Sequence, residues 1–218
     1  MLNEIYHLLK KELLLEWRQR HAVGGILLYV VSTVFICYLS FKNIIEPSVW
    51  NSLFWIIILF ASVNASAKSF IQENKGRFLY YYTVASPHAI IISKIIYNVL
   101  LIITLSIICL GFYTLFLGNV VENISLFFCT LIAGGFGLAS LLTIISAIAA
   151  KANNNFTMMA ILSFPIIMPL LMVILKISQN AILGTDFVIN LKYFITLFAL
   201  DSIVLILAYL LFPYLWRD

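Results

Sequence analysis

Charged residues are scarce in this chain. Lysine, arginine, aspartate and glutamate together make up 10% of its 218 residues, whereas a soluble domain carries about 25%. Hydrophobic residues make up 63%, and a soluble fold of this length has too little interior to bury that much apolar side chain. The composition therefore excludes a soluble globular protein.

Sequence signatures of catalysis and nucleotide binding are missing as well. The chain contains no G-x-x-x-x-G-K-[ST], no G-x-G-x-x-G and no H-E-x-x-H pattern. The glycine-rich stretch at 134–140 lies within an uncharged run and follows no strand, so we interpret it as a packing motif. We expect no catalytic site, no metal site, no tightly bound cofactor and no nucleic-acid partner. If the protein moves a substrate, the energy must come from another subunit.

Cysteines are also few. Cys37, Cys109 and Cys129 lie within apolar runs and form neither a C-x-x-C nor a C-x-x-C-H pattern. This spacing excludes a disulfide framework and a covalent haem attachment site, and we interpret the three residues as small apolar packing groups.

Long uncharged runs dominate what is present. A helix needs about 20 apolar residues to cross about 30 Å of hydrocarbon. Six runs of that kind occur: Ala22–Phe41, Val49–Ala67, Ile95–Leu117, Ile124–Ala150, Phe156–Leu175 and Tyr193–Trp216. The first five contain no acidic or basic residue, and the sixth contains only Asp201. The sequence thus predicts an all-α, polytopic membrane protein with six transmembrane helices and a single domain over residues 1–218.

The basic residues predict the orientation. Of the 13 lysines and arginines, all but Lys42, Lys176 and Lys192 lie in the termini or in the connections that share their side. Because cytoplasmic segments are enriched in lysine and arginine, we expect both termini to be cytoplasmic.

Residues 1–21 predict an amphipathic helix. Apolar residues recur on one stripe at helical spacing: Leu2, Ile5, Leu9, Leu13 and Trp17. Basic residues combined with leucines and a tryptophan favour a helix that lies in the membrane interface and contacts lipid. The alternative is an ordinary lead-in helix.

The connection between the second and third spans, Lys68–Lys94, is the only sizeable one on the cytoplasmic side. Ser86 followed by Pro87 is typical of a helix N-cap with proline at the first helical position, so a helix is predicted to begin there and to continue into the third span. Gly76 permits a tight turn. This connection is the predicted docking surface for a soluble partner, although a plain interfacial linker is the alternative.

The fourth span carries a small-residue stripe. Gly135, Ala139, Thr143 and Ala147 recur every four residues, which allows another helix backbone to approach closely. Packing within the chain is the first interpretation, and a homodimer contact is the alternative.

Two further features lie in the last spans. Pro165 and Pro169 remove backbone donors from the fifth span, which predicts a kink, a gate or a re-entrant hairpin. Asp201 lies in the sixth span, where an ionised carboxylate costs about 2.5–3.5 kcal/mol on insertion scales, so it either faces the bundle interior or lies at the outer interface.

Four stretches, in this order and spacing, carry a resemblance to a known family: "KKELLLEWRQR" before the first span, "FIQENKG" at the end of the second, "SPHAIIISK" at the start of the third and "FPIIMPLL" in the fifth. With the glycine cluster of the fourth span, the chain resembles the CcmB family of haem-exporter permeases, which are ABC-2-type transporter permeases. The resemblance covers essentially the whole chain.

The resemblance implies a permease subunit in the bacterial inner membrane for haem export or delivery in c-type cytochrome biogenesis. It implies a separate ATPase subunit (the A component) that binds ATP, the haem-handling C and D membrane components, and a periplasmic haem chaperone. It also implies ATPase coupling through Glu73, Gly76, Arg77, Ser86 and Pro87.

Haem is then a cargo candidate rather than a bound cofactor. The sequence shows no histidine on the predicted outer side and no tryptophan-rich stretch. This favours force transmission, with release of the haem-loaded chaperone, over passage of haem through the chain.

Two other functions are compatible with the residues alone. An ABC-2-type permease could export a lipid, a glycan or a drug, and neighbouring genes for glycan synthesis would indicate it. A non-transport scaffold would purify without any nucleotide-binding subunit.

Overall fold

The structure, a computed structural model, describes residues 1–18, 20–41, 45–70, 85–151 and 156–217. Within these ranges the chain is helical apart from short connections, and no strand occurs. The helices are α1 (Leu2–Arg18), α2 (Arg20–Phe41), α3 (Pro47–Phe70), α4 (Pro87–Leu117), α5 (Ile124–Lys151), α6 (Phe156–Ile182) and α7 (Phe187–Arg217). Helices α2 to α7 are each long and apolar enough to cross a membrane. The predicted all-α fold with six spans is confirmed.

Several helix ends differ from the bounds of the predicted apolar runs. Helix α4 begins at Pro87, the start that Ser86-Pro87 predicted, and so includes the residues ahead of the run Ile95–Leu117. Helix α6 continues to Ile182 and α7 begins at Phe187, so the connection between the fifth and sixth runs is shortened to residues 183–186. The helices extend beyond their apolar runs because polar side chains at their ends pair with one another.

The turn at 183–186 shows how this pairing works. The Asn180 side-chain amide donates to the Asn190 side-chain oxygen over 2.7 Å, which joins α6 to α7. The Asn123 amide donates to the Thr185 carbonyl over 3.1 Å, which ties the turn to the start of α5. Gly184 has a φ of +69° and lies directly under the Glu122 carboxylate, so a side chain there would be both strained and obstructed.

Helix α5 is the centre of the bundle. It contacts α3, α4, α6 and α7, and 78% of its span is buried, whereas no other candidate span exceeds 50%. Small residues permit this central position because they let the neighbouring helices come close. A Cβ at Gly134 would meet the Ile174 side chain of α6 at 3.0 Å, and one at Gly135 would meet Ile103 of α4 at 3.3 Å.

The predicted small-residue stripe is buried inside the chain. Gly135 faces α4, and Ala139, Thr143 and Ala147 are each at most 4% exposed. In this structure the stripe is therefore packed between helices of one chain; a homodimer contact stays a prediction.

The end of the bundle away from α1 has an aromatic core. Trp50 and Phe54 of α3 pack against Tyr113 of α4 and Phe127 of α5, with ring centroids 4.7 to 5.9 Å apart. The Tyr113 hydroxyl donates to the Trp50 carbonyl over 3.1 Å. Large rings with a satisfied polar group hold α3, α4 and α5 together at this end.

Helix α6 contains Pro165 and Pro169 without ending at either of them. Both prolines lie on its exposed face, while Ile167 and Leu170 point into the bundle. The segment is thus one continuous helix here rather than a re-entrant hairpin. A gate or kink at the two prolines stays a prediction.

Candidate functional site

A polar seam joins α1 to the beginning of α4. Three glutamates of α1 contact three polar side chains of α4, and we call these six residues the α1–α4 seam: Glu4 with Ser86, Glu12 with Lys94, and Glu16 with Tyr97. The partners are 82, 82 and 81 residues apart in sequence. A constant offset means that α1 runs lengthwise along the first three turns of α4, in the same direction.

Glu4 fixes the start of α4. Its carboxylate accepts a hydrogen bond from the Ser86 backbone N–H at 3.1 Å and another from the Ser86 hydroxyl at 2.9 Å. These two bonds, from the Ser86 backbone first and its hydroxyl second, lower the pKa of Glu4 from 4.5 to about 2. A carboxylate at a helix N-terminus is also favoured by the helix dipole. Glu4 therefore acts as an anionic cap supplied by another helix.

Glu12 pairs with a buried lysine. The Lys94 ammonium is 3.4 Å from a Glu12 carboxylate oxygen, and the Lys94 side chain is only 4% exposed. Lys11 lies 3.0 Å from the same oxygen. Burial acts to raise the pKa of Glu12, but the charges of Lys94 and Lys11 outweigh it and hold the pKa below 4.5. Glu12 and Lys94 therefore form an ion pair that links α1 to α4.

Glu16 closes the seam at its far end. One of its carboxylate oxygens accepts a hydrogen bond from the Tyr97 hydroxyl at 2.6 Å. The other oxygen is buried and has no hydrogen-bond partner among the described residues. A short bond to an ionised acceptor is among the stronger kinds of hydrogen bond, so Glu16 secures the last turn of α1.

A chain of hydrogen bonds begins at Lys94 and continues into the interior of the bundle. It donates to the Ser69 carbonyl in the last turn of α3. The Ser69 hydroxyl donates to the Asn98 side-chain oxygen at 2.8 Å, and the Asn98 amide donates to the Thr143 hydroxyl of α5 at 2.7 Å. We call Lys94, Ser69, Asn98 and Thr143 the buried relay. All four are at most 7% exposed, so losing any bond would leave a polar group stranded away from water.

The buried relay also reaches α7 through an aromatic pair. The Lys94 ammonium lies 4.7 Å from the centre of the Phe70 ring, within cation–π range. Phe70 in turn contacts Phe212 of α7, with centroids 5.6 Å apart. The seam and relay together therefore touch α1, α3, α4, α5 and α7.

These contacts hold both flanks of the segment that the structure does not describe between α3 and α4. On one side, Ser69 and Phe70 bind Lys94. On the other side, Ser86 binds Glu4. The described residues on both sides of 71–84 are therefore each held by a contact of the seam or of the relay.

The predicted coupling residues are only partly within the described chain. The predicted helix start is confirmed, since Ser86 is the N-cap of α4 and Pro87 occupies its first turn. Ser86 makes no side-chain cap to its own helix and donates to Glu4 instead. Glu73, Gly76 and Arg77 lie outside the described residues, and their role stays a prediction.

The predicted apolar stripe of α1 does not coincide with the face that packs. Ile5 and Leu9 are half-buried, but Leu2 and Leu13 are 80% and 45% exposed. The packed face carries the seam glutamates, which the sequence interpretation did not single out. Their spacing was the available signal, because residues 4, 12 and 16 fall on one side of a helix. The side chain of Trp17 lies outside the described set.

Asp201 lies apart from the seam. It is 2% exposed and lies in the interior of the bundle, which selects the interior alternative over the outer interface. Its carboxylate rests against Gly137 of α5.

Comparison with known proteins gave one family. The family model described as "CcmB protein" matches residues 3–213, nearly the whole chain. A search of curated proteins gave no significant match.

Proposed function

The chain belongs to the CcmB family, the permease components of haem-export ABC systems in cytochrome c biogenesis, and from this premise we propose that the α1–α4 seam and buried relay couple a separate ATPase subunit to the spans. The observation that carries the proposal is the anchoring of both flanks of residues 71–84. Ser69 and Phe70 are held through Lys94, and Ser86 is held through Glu4.

The proposed direction of transmission runs from the ATPase to α1 and α4, and then into the bundle. An ATPase that binds residues 71–84 would pull on the last turn of α3 and the first turn of α4. The buried relay then carries the displacement to Thr143 in the central helix α5. Tight interiors transmit strain because their side chains have little free volume.

The proposed topology places the α1 end of the bundle in the cytoplasm of the bacterium. The protein is a multi-pass inner-membrane protein, and its lysines and arginines are concentrated in the predicted connections on the side of the two termini. The positive-inside tendency supports this placement. In that topology, residues 71–84 face the compartment where ATP is available.

We further propose that this chain transmits force and that its partners handle haem. All three histidines belong to the α1 end: His7 lies on α1, His21 in the first turn of α2, and His88 in the first turn of α4. Trp50 and Trp55 are buried in the core. The proposed partners are those that membership of the CcmB family implies: the A-component ATPase, the haem-handling C and D components, and a periplasmic haem chaperone whose release follows ATP hydrolysis.

The proposal is tested with a double variant of the seam in the complete complex. Glu4→Ala with Glu12→Ala removes two charge-assisted contacts between α1 and the beginning of α4. We expect wild-type amounts of the protein in the membrane but at least about tenfold less ATP-dependent holocytochrome c formation. The measurements are immunoblots of membranes and haem staining of the c-type cytochrome product.

The matched control changes the exposed face of the same helix. Asn3→Ala with His7→Ala alters two exposed positions of α1 and should leave holocytochrome c formation unchanged. If the seam variant were inserted normally and formed the same amount of holocytochrome c as the control, the seam would not be the coupling element.

A further inference from the structure

Asp201 is an unpaired acid in the middle of the bundle. It is 2% exposed, and neither carboxylate oxygen has a hydrogen-bond partner among the described residues. Every acid of the α1–α4 seam, by contrast, accepts at least one hydrogen bond. Buried carboxylates are usually paired or hydrogen-bonded, so the state of Asp201 needs a specific explanation.

The packing around Asp201 is close. Gly137 of α5 lies so near that an added Cβ would overlap the carboxylate, and the same Cβ would meet the Leu170 side chain of α6 at 3.0 Å. Helices α5, α6 and α7 therefore converge on this acid. The glycine leaves room for the carboxyl group and for little else.

No charged side chain in the described chain neutralises Asp201. Helix α7 packs mainly against α4, α5 and α6 and also touches α3 through Phe212 and Phe70, and the three main neighbours have few titratable groups. On α4, Lys94 binds Glu12 and the Ser69 carbonyl, and His88 stacks on Tyr209, two turns along α7 from Asp201. Lys151 of α5 and Lys176 of α6 are exposed at the helix ends.

The remaining ways to neutralise the carboxylate are a proton or a small cation. A hard cation requires several oxygen ligands around it, whereas the side chain that shares the contact at Gly137 with the Asp201 carboxylate is the apolar Leu170. A proton needs no additional ligand and no additional space. The geometry therefore favours the smallest occupant.

We propose that Asp201 is a proton-binding site at the junction of α5, α6 and α7, and that the proton is held while α7 rests on Gly137. The site differs from the coupling elements of the proposed function and does not depend on them. Separation of α7 from α5 would admit water, and the carboxyl would then release its proton. The packed arrangement binds one proton more than the separated one, so a higher pH favours separation.

Infrared difference spectroscopy of the full chain in lipid nanodiscs tests this site. At pH 7 an aspartate in water is ionised and gives no carboxylic-acid C=O band. We expect such a band in the wild type, and we expect it to disappear in Asp201→Asn. Asp186→Asn is the matched control, because Asp186 is exposed next to the start of α7, and it should leave the band in place.

The same experiment has outcomes that would overturn the proposal. A wild-type spectrum with no acid band at pH 7 would mean that Asp201 is ionised. Stabilisation of the wild type, but not of Asp201→Asn, by sodium or potassium would mean that a cation occupies the site. If Asp201→Asn fails to assemble, the wild type can be labelled with ¹³C-aspartate instead. The label shifts the C=O band of a protonated aspartate, so it shows whether the acid band comes from an aspartate.

Discussion

Removing the charge of Glu12 should strand a buried ammonium group. Glu12→Gln keeps the size of the side chain and its carbonyl oxygen but removes the carboxylate that faces Lys94 at 3.4 Å. Lys94 would keep its bond to the Ser69 carbonyl and its contact with Phe70. The ammonium would then lie in a mostly buried position without the carboxylate that compensates it.

The expected cost can be placed within limits. Breaking a fully buried ion pair by removing one partner costs about 3–5 kcal/mol. The Glu12 side chain is 16% exposed, so we expect the lower value of about 2–3 kcal/mol for Glu12→Gln. Lys94→Met strands only the Ser69 carbonyl, which costs about 1–2 kcal/mol. In the double variant no ammonium is stranded, so it should cost about as much as Lys94→Met alone.

The assay is a double-mutant cycle of reversible unfolding in mixed micelles. We expect a coupling energy of about 2 kcal/mol between positions 12 and 94, which is well above the additivity error of about 0.3–0.5 kcal/mol. Lys11→Met is the matched control, because it removes the other lysine beside Glu12. The Lys11 side chain is 31% exposed, so its removal should cost at most about 1 kcal/mol. If the two single changes added within error, the ion pair would not link α1 to the bundle.

Two further predictions concern single groups. The pKa of Glu4 is lowered from 4.5 to about 2 in the folded chain, so its contribution to stability is complete above pH 4.5 and is lost as the pH falls toward about 2. The thermal midpoint of the wild type should drop over that window, and Glu4→Gln should lack this part of the drop. An identical pH profile in the variant would contradict the assignment. Gly137→Ala should lower the free energy of unfolding by about 1–3 kcal/mol because its Cβ overlaps the Asp201 carboxylate. The control Gly111→Ala, at a position open to its surroundings, should be neutral or slightly stabilising. Equal effects of the two alanines in chemical denaturation would refute the close contact.

The fold could be predicted because hydrophobic length alone specifies a spanning helix. Five of the six runs contain no charge at all, and each became a helix. The helix ends were less predictable. The uncharged run of the third span begins at Ile95, directly after Lys94, but the run does not show that Lys94 is buried inside α4, where Glu12 and the Ser69 carbonyl compensate its charge.

The site was harder to predict than the fold. Glu4 and Ser86 are 82 residues apart, and nothing in the local sequence shows that they meet. Asn98 and Thr143 belong to different spans, and each is a single uncharged polar residue within an apolar run. Such partners are specified by how the helices pack, which a single sequence does not reveal. The Ser-Pro start of α4 was predictable because its chemistry is local.

The fixed offset between α1 and α4 has a consequence for how the two helices can move. Sliding one past the other by a single turn would part Glu4 from Ser86, Glu12 from Lys94 and Glu16 from Tyr97 together, since the three pairs have nearly the same offset of 82, 82 and 81 residues. We therefore expect the three contacts to be formed together or broken together. A displacement of either helix would then move both helices until the three contacts break.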